Sequence, residues 1–225
     1  MSTSTAPEAR DTTLASLAKE SGHRWFAAIY DRMNRAEERG FLGEMRRQLL
    51  DDLTGDVLEI GAGTGANFAH YAPTARVTAL EPDPFMLRRA EKKLAALGRS
   101  NISLQQGPAE RLPFDDASFD AMVSTLVLCT VRGVPQALAE MRRVLRPGGQ
   151  LRFIEHIRAE GLGGLVQDVI KPIWGWFSAG CHPNRRTLAA LREAGFDVTV
   201  TERRKMLALV PLVRGTASPQ AGAAR

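Results

Sequence analysis

The residues with the clearest chemical potential form a short glycine-rich stretch directly after an apolar run. Gly61, Gly63 and Gly65 follow residues 57–60, and Glu59 stands just before the first glycine. Glycine has no Cβ atom, so such a turn can adopt positive φ and its backbone can approach a ligand closely. Read as G-x-G-x-x-G/A, the same stretch also fits a dinucleotide-binding fingerprint.

A second carboxylate has a spacing that suits the hydroxyls of a ribose. Glu81 lies twenty residues after Gly61, at the end of the next apolar run, residues 77–81. A carboxylate has two oxygens and can accept charge-assisted hydrogen bonds from two neighbouring hydroxyls. The pattern by itself therefore leaves a nicotinamide-dependent oxidoreductase open beside other enzymes that hold an adenosine-containing cofactor.

Further segments at the right distances favour one of these alternatives. They are residues 79–83 (ALEPD), 107–114 (GPAERLPF), 118–124 (SFDAMVS) and 144–149 (VLRPGG). Together with the glycine stretch they resemble, in order and spacing, the motif series of class I S-adenosylmethionine-dependent methyltransferases. The resemblance covers roughly residues 55–156.

A narrower resemblance begins where the fourth predicted strand ends. It rests on residues 125–131 (TLVLCTV) and 153–156 (FIEH), on Trp174, on Gly180 with Cys181, and on parts of residues 186–196. These look like the methyltransferase-like branch that includes animal membrane-associated thiol S-methyltransferases and uncharacterised bacterial relatives.

The resemblance implies S-adenosylmethionine as cofactor, with S-adenosylhomocysteine as its product, and a role for each motif residue. Glu59 would meet the methionine ammonium, directly or through water, Glu81 would meet the ribose, and Ala109 and Glu110 would flank the adenine. The predicted cofactor-binding residues are Glu59, Gly61, Gly63, Gly65, Asn67, Glu81, Pro82, Ala109, Glu110, Ser124, Thr125 and Leu126. For two of these residues a purely structural role stays open instead of a cofactor contact: Glu110 as a carboxylate at a helix start, and Asn67 as an ordinary helix residue.

Candidate catalytic residues lie at the end of the fifth predicted strand. His156 and Glu155 could remove a proton from the methyl acceptor, with Tyr30 behind them. A thiol acceptor needs little more than loss of its proton, whereas an amine or phenol benefits from a positioned base. Cys129 and Cys181 are interpreted as buried small apolar residues. No metal site is predicted, because the two cysteines are far apart in the chain and lack zinc-type spacing.

Alternating strand and helix patterns predict a doubly wound α/β fold with a mostly parallel sheet. Strands are predicted at residues 57–60, 77–81, 102–106, 121–125, 151–155, 196–201 and 207–213. Apolar residues at steps of three and four predict helices between them, over residues 87–97 and 134–145. The resemblance implies a seven-stranded sheet of the Rossmann-like methyltransferase type that ends in an antiparallel hairpin.

The chain is predicted to divide into a core with two additions. Residues 1–11 and 216–225 read as disordered tails, residues 12–48 as an N-terminal helical cap, and residues 49–215 as the methyltransferase core. Within the core, residues 157–185 form a helical insertion rich in apolar and aromatic residues. We expect this insertion to act as a lid over the acceptor, and its composition suits a lipophilic acceptor or a peripheral membrane contact.

The composition and the net charge bear on whether the protein binds nucleic acid or a membrane. The chain is 44% hydrophobic and 24% charged, with a net charge of +5. The basic residues are scattered, so no nucleic acid partner is expected. The N-terminus has no secretory pattern and no apolar run is long enough to span a bilayer, which predicts a cytoplasmic protein with at most peripheral membrane contact.

The sequence thus predicts a methyltransferase for a small-molecule or lipid acceptor, with a thiol preferred. A phospholipid amine, or another small-molecule nitrogen or oxygen, is the alternative acceptor. An RNA methyltransferase and a non-catalytic S-adenosylmethionine-binding protein also stay open. The oligomeric state is not predicted.

Overall fold

A computed structural model describes residues 40–177, 180–206 and 210–220. Its centre is a seven-stranded sheet of order β3-β2-β1-β4-β5-β7-β6. The strands are β1 (Gly55–Ile60), β2 (Ala75–Glu81), β3 (Ile102–Gln106), β4 (Phe119–Thr125), β5 (Leu145–His156), β6 (Phe196–Met206) and β7 (Val210–Pro219). The helices are α1 (Phe41–Leu50), α2 (Pro84–Leu97), α3 (Val134–Val144), α4 (Leu162–Phe177) and α5 (Thr187–Glu193).

The predicted doubly wound sheet is confirmed. The pairs β1–β2, β1–β4, β2–β3 and β4–β5 are parallel, while β7 pairs antiparallel with both β5 and β6. The predicted terminal hairpin is therefore present as β6 and β7. The order of strands reverses between β1 and β4, and ligands of open α/β sheets bind at the carboxyl ends of strands beside such a reversal.

The central strands of the sheet are covered on both faces. Successive side chains of a strand point to opposite faces, so each central strand contributes to the apolar clusters on both sides. Along β1, Val57 belongs to one cluster of buried apolar residues and Leu58 to the other. The first cluster includes α1 through Leu42 and Leu49, and the second includes α3 through Leu138. The sheet edge that carries the strand ends is thus held rigidly from both sides.

Two predicted boundaries are wrong. α1 runs to Leu50 and buries Leu42, Met45 and Leu49 in the core, so the division at residues 48 and 49 cuts through a core helix. The predicted tail at residues 216–225 is also wrong in part, because β7 continues to Pro219. β7 is an interior strand whose small residues, such as Gly215, let its neighbours approach closely: a Cβ atom on Gly215 would lie 2.2 Å from the Thr199 carbonyl oxygen.

Some predictions fall outside the described residues. These are the tail at 1–11, most of the N-terminal cap with Tyr30, and the last residues, 221–225. Among the helices that the structure does describe, none has both the length and the apolar character needed to cross a membrane.

Candidate active site

The glycine stretch after β1 forms a tight loop at the sheet edge. Gly61, Gly63 and Gly65 have φ of +60°, +58° and +80°, values that a side chain would strain. A Cβ atom on Gly61 would overlap the Val127 side chain and one on Gly65 the Phe68 ring. A Cβ atom on Gly63 would meet no atom within 4 Å, so at this residue alone of the three the loop borders open space.

The loop continues into successive turns over residues 63–70, where the sequence pattern suggested the start of a helix. Two of its N–H groups are used within the protein: that of Gly63 donates to Glu81 at 2.8 Å and that of Gly65 to the Ala62 carbonyl at 2.9 Å. These two N–H groups are therefore already engaged within the protein.

Glu81 ends β2 beside the glycine loop, as predicted. Its carboxylate accepts hydrogen bonds from the Gly63 N–H and, at 2.9 Å, from the Asp83 N–H, one on each oxygen. Each carboxylate oxygen has two lone pairs, so each can still accept one hydroxyl. Burial raises the pKa of Glu81 to about 7, against the two backbone hydrogen bonds, which lower it.

This pKa predicts that ligand binding depends on pH. The neighbouring Asp83 carboxylate adds to the raised pKa of Glu81, and the Glu81 charge in turn raises the pKa of Glu59. Because a folded-state pKa near 7 lies above the ordinary value of 4.5, the protonated carboxyl contributes stability at low pH that is lost as the pH rises through about 7. Ribose hydroxyls would favour the ionised form instead.

We therefore expect the affinity for S-adenosylmethionine to be roughly tenfold lower at about pH 6 than at about pH 8, with a proton released on binding at the lower pH. Calorimetry in two buffers of different ionisation enthalpy measures that proton. Equal affinity at both pH values, with identical heats in both buffers, would contradict the assignment of Glu81 to the ribose.

Glu59 lies near the end of β1, directly before the glycine loop, and its carboxylate is bonded within the protein. It is 1% exposed, and its two oxygens accept hydrogen bonds from Asn67 Nδ2 at 2.8 Å and the Tyr71 hydroxyl at 2.9 Å. Burial raises the pKa of Glu59 to about 7, although both hydrogen bonds lower it. These contacts fix the loop from behind, so Glu59 acts as a positioning residue and a direct bond to a methionine ammonium is not favoured.

Asn67 is the hub of this buried network. Its side-chain oxygen accepts from Arg46 at 2.7 Å, and its Nδ2 donates to Glu59 and, at 2.9 Å, to Thr125 Oγ1. Arg46 also donates to Thr125 Oγ1 at 2.9 Å. Asn67 lies in a turn and not in a helix, and its contact with the cofactor stays a prediction. It joins α1, the glycine loop and the end of β4.

The end of β4 is held by a second buried carboxylate. Glu155 Oε1 accepts from the Ser124 hydroxyl at 2.6 Å and from the N–H groups of Val127 and Leu128 at 3.1 and 3.0 Å. Its Oε2 is buried and has no hydrogen-bond partner among the described residues. Burial raises the pKa of Glu155. Because it anchors the loop after β4, a role as free base is not supported.

Leu126 is the residue at which the chain leaves β4. Its φ is +61°, a conformation that costs a branched side chain about 1–3 kcal/mol. The Leu126 N–H still donates to the Ile154 carbonyl, so the strain is confined to the turn itself. Ser124 and Thr125 use their side chains internally, which leaves backbone contacts for the predicted methionine end of the cofactor.

The predicted adenine residues follow β3. Ala109 is buried, and Glu110 Oε1 accepts from the N–H groups of Arg132 and Gly133 directly before α3. The carboxylate of Glu110 therefore binds the segment directly before α3, and it neither stands at the start of a helix of its own nor caps the first turn of α3. Pro82 is exposed beside Glu81. Contacts of these residues with adenine stay predictions.

On the acceptor side, the fold brings together residues that the sequence treated separately. His156 ends β5, is 4% exposed and has its Nδ1 atom 3.6 Å from Cys181 Sγ. Cys129, in the loop after β4, is buried as predicted. A hydrogen bond with Cys129 and the neighbouring His156 lower the pKa of Cys181, while the same bond and burial raise the pKa of Cys129.

Sequence reasoning missed Arg46 and Tyr71. A signal for Arg46 was available, because it lies four residues after Leu42 and so shares the helix face that Leu42 and Leu49 bury. A cation on an apolar face indicates a buried partner. Nothing in the sequence indicated that Tyr71 would reach Glu59.

The described residues fit S-adenosylmethionine. Glu81 keeps acceptor capacity on both oxygens, and Gly63 leaves open space beside it. Glu59, Asn67 and Arg46 hold the loop from behind, so its shape does not depend on the ligand. When bound, S-adenosylmethionine supplies an electrophilic methyl group on a sulfonium.

Known proteins agree with this geometry. A family model described as a methyltransferase domain matches residues 58–153. Human "Thiol S-methyltransferase TMT1B" is 40% identical over 72% of this chain and 69% of its own length. "Ubiquinone/menaquinone biosynthesis C-methyltransferase UbiE" of Pseudomonas fluorescens is 31% identical over 84% of both chains.

Among solved structures, the YcgJ protein of Bacillus subtilis superposes with a TM-score of 0.68 at 17% identity, covering 80% of this chain and 98% of its own. A likeness at that identity concerns the fold alone. The fold and the relatives agree, and this chain belongs to the class I S-adenosylmethionine-dependent methyltransferases, as an enzyme that uses S-adenosylmethionine.

Proposed function

We propose that this enzyme transfers the methyl group to the sulfur of a small or lipophilic thiol. The observation that carries the proposal is the hydrogen bonding of Glu155, the carboxylate next to His156 at the end of β5. Its Oε1 accepts three hydrogen bonds from the end of β4 and the loop after it, and burial raises its pKa. A site with that carboxylate engaged suits an acceptor that ionises readily by itself.

The 40% identity to a human thiol S-methyltransferase supports the same acceptor class. In the proposed reaction the thiol loses its proton to solvent, and a lone pair of the thiolate forms the new sulfur–carbon bond. The bonding pair of the sulfonium–methyl bond stays on the cofactor sulfur. The products are a neutral thioether and S-adenosylhomocysteine. The protein's contribution is to orient the two sulfurs and exclude water, which is worth about 7–11 kcal/mol in well-aligned reactions.

The surface of α4 supports a lipophilic acceptor or a lipid surface. Leu162, Leu165 and Val169 are 80%, 57% and 76% exposed, although each is large and apolar. The opposite side of the helix is tied down, since buried Gln167 accepts a hydrogen bond from the Ala159 N–H at 2.7 Å. We infer that α4 serves as the predicted lid and that the protein is cytoplasmic with peripheral membrane contact through this face.

One observation favours a second acceptor. The relative named as a quinone C-methyltransferase aligns with more of this chain than the thiol enzyme does, 84% against 72%. Methylation at a ring carbon of a hydroquinone needs removal of a phenolic proton, for which His156 would be the available group. This alternative therefore enters the acceptor test as its own arm.

We expect hexanethiol to be methylated and its matched alcohol and amine, hexanol and hexylamine, to give at most about one hundredth of that rate. The rate should rise with pH as the acceptor thiol ionises, because the thiolate is the nucleophile. Release of S-adenosylhomocysteine measures every acceptor in the same units. A hydroquinone and vesicles containing phosphatidylethanolamine complete the panel.

Turnover of the hydroquinone or the vesicles, with none of hexanethiol, would contradict thiol methylation. Binding of S-adenosylmethionine, measured separately, shows whether the protein is competent in each preparation.

A further inference from the structure

The mechanism above leaves unused a buried group of two thiols and an imidazole. Cys129, His156 and Cys181 each offer one ligand atom, and these atoms all lie within 4.8 Å of one another. All three residues are buried. Cys129 and Cys181 are far apart along the chain, which predicted no metal site, but the fold brings their sulfur atoms close together.

The three residues come from separate elements that are fixed to one another. The His182 N–H donates to the Cys129 carbonyl at 2.9 Å, which holds the segment after α4 against the loop after β4. Arg185 donates to the carbonyls of Leu128 and Val131 in the same loop. The group is therefore preorganised by contacts other than those of its own side chains.

His156 is fixed from a further side. The Thr187 hydroxyl donates to its carbonyl at 3.0 Å, and the residue pairs with β7 as the last of β5. Its Nε2 atom is buried without a hydrogen-bond partner among the described residues. The ring is thus held for its contact with Cys181 and not by a conventional pair of hydrogen bonds, which buried imidazoles ordinarily make.

The spacing agrees with metal coordination. Zinc binds sulfur at about 2.3 Å and imidazole nitrogen at about 2.0–2.1 Å, so a tetrahedral angle sets these two ligands about 3.6 Å apart. The observed distance between Cys181 Sγ and His156 Nδ1 is 3.6 Å. Two zinc-bound sulfurs lie about 3.8 Å apart by the same geometry, which the limit of 4.8 Å admits with a small movement.

We propose that Cys129, His156 and Cys181 bind a zinc ion, and that its fourth coordination position receives the sulfur of the acceptor thiol. In the described part of the chain the group has three protein ligands. Three ligands with one open position are typical of catalytic zinc sites, whereas structural sites are closed by four. The acceptor part of this inference rests on the proposed thiol methyltransferase function.

Coordination would supply what the site otherwise lacks. A thiol bound to zinc gives up its proton, which passes to solvent, and the sulfur keeps the lone pair needed for the methyl group. The thioether formed is uncharged and a weaker ligand, so it leaves. An alcohol or amine gains less, because zinc in a site of sulfur and nitrogen ligands favours a further soft ligand.

The first test measures metal binding without turnover. The reduced full-length chain, freed of metal by a chelator, is titrated with Zn²⁺ against a chromophoric competitor and with Co²⁺ by absorbance. We expect one ion per chain and the thiolate-to-cobalt bands of a tetrahedral site. C129S, C181S and H156Q should each weaken the binding of both metal ions by about tenfold to a hundredfold or more. H182Q is the matched control, because His182 lies next to Cys181 but outside the group, and it should bind normally.

The second test adds hexanethiol to the cobalt-loaded protein. The thiolate-to-cobalt band should rise by about half, because two sulfur ligands become three. Hexanol should leave the band unchanged. Each variant is also tested for S-adenosylmethionine binding, whose retention shows that the variant is folded.

The outcomes separate this inference from the proposed function. Failure of the reduced protein to bind zinc, or binding that H182Q weakens as much as C181S, overturns the metal site even if hexanethiol is methylated. Metal binding with no response of the band to hexanethiol overturns the open position. Zinc binding with a response to hexanethiol supports both parts, and the acceptor panel then tests turnover independently.

Discussion

Replacement of Glu81 by alanine should abolish measurable binding of S-adenosylmethionine while the protein stays folded. The carboxylate accepts one backbone hydrogen bond on each oxygen and keeps capacity for two ribose hydroxyls. Each hydrogen bond to a charged group is worth about 1.5–3 kcal/mol, so losing two predicts an affinity at least about a hundredfold weaker. Calorimetry or equilibrium dialysis measures the loss.

The fold should tolerate this change. Glu81 is only 6% exposed, and burial raises its pKa to about 7, so alanine at this position removes a charge that is costly to bury. E140A is the matched control, because Glu140 also accepts a backbone hydrogen bond, from Leu112, but lies away from the glycine loop. An affinity of E81A within threefold of the parent, or an equal loss in E140A, would remove Glu81 from the cofactor site.

Replacement of Gly63 by valine should have an effect of similar size for a different reason. The space beside Gly63 contains no protein atom within 4 Å of a Cβ position, so the new side chain would enter the volume assigned to the cofactor. Valine at a φ of +58° also strains the backbone, by about 1–3 kcal/mol. Loss of binding alone could therefore reflect the strain.

Gly98 separates these two effects. It has a φ of +61° and likewise no atom within 4 Å of a Cβ position, but it caps the end of α2 away from the site. We expect G63V and G98V to lower the melting temperature by similar amounts, and only G63V to lose S-adenosylmethionine binding. If G63V still binds as tightly as G98V, the glycine loop does not contact the cofactor.

The elements that the sequence predicted well are those with a strong local signal. Residues 102–106 match β3 because Ile102 and Leu104 alternate with polar residues, the pattern of a half-buried strand. β7 was misplaced because an interior strand with Gly215 and Ala217 carries a weak apolar signal, and its pairing with β5 and β6 supplies the missing stabilisation. Strand propensity depends on neighbours, which one sequence does not contain.

The candidate site likewise contains features that the sequence predicted and features that it did not. The sequence determined the glycine loop and Glu81, because a turn with positive φ needs glycine at particular positions and a strand end needs a particular spacing. It did not determine the direction in which a carboxylate points. Glu59 and Glu155 were predicted to meet ligands, yet their oxygens mainly bond Asn67, Tyr71 and the end of β4.

Only the tertiary structure decided the acceptor side. Arg46 in α1 donates hydrogen bonds to Asn67 and Thr125 at the carboxyl ends of the strands. Cys129 lies close to Cys181 because the segment after α4 is hydrogen-bonded to the loop after β4. Contacts of this kind join residues that are distant in the chain, so no local pattern or spacing encodes them. The order and spacing of the motifs predicted the cofactor class through their resemblance to class I methyltransferases, and the packing of separate elements determined which side chains lie together at the end of β5.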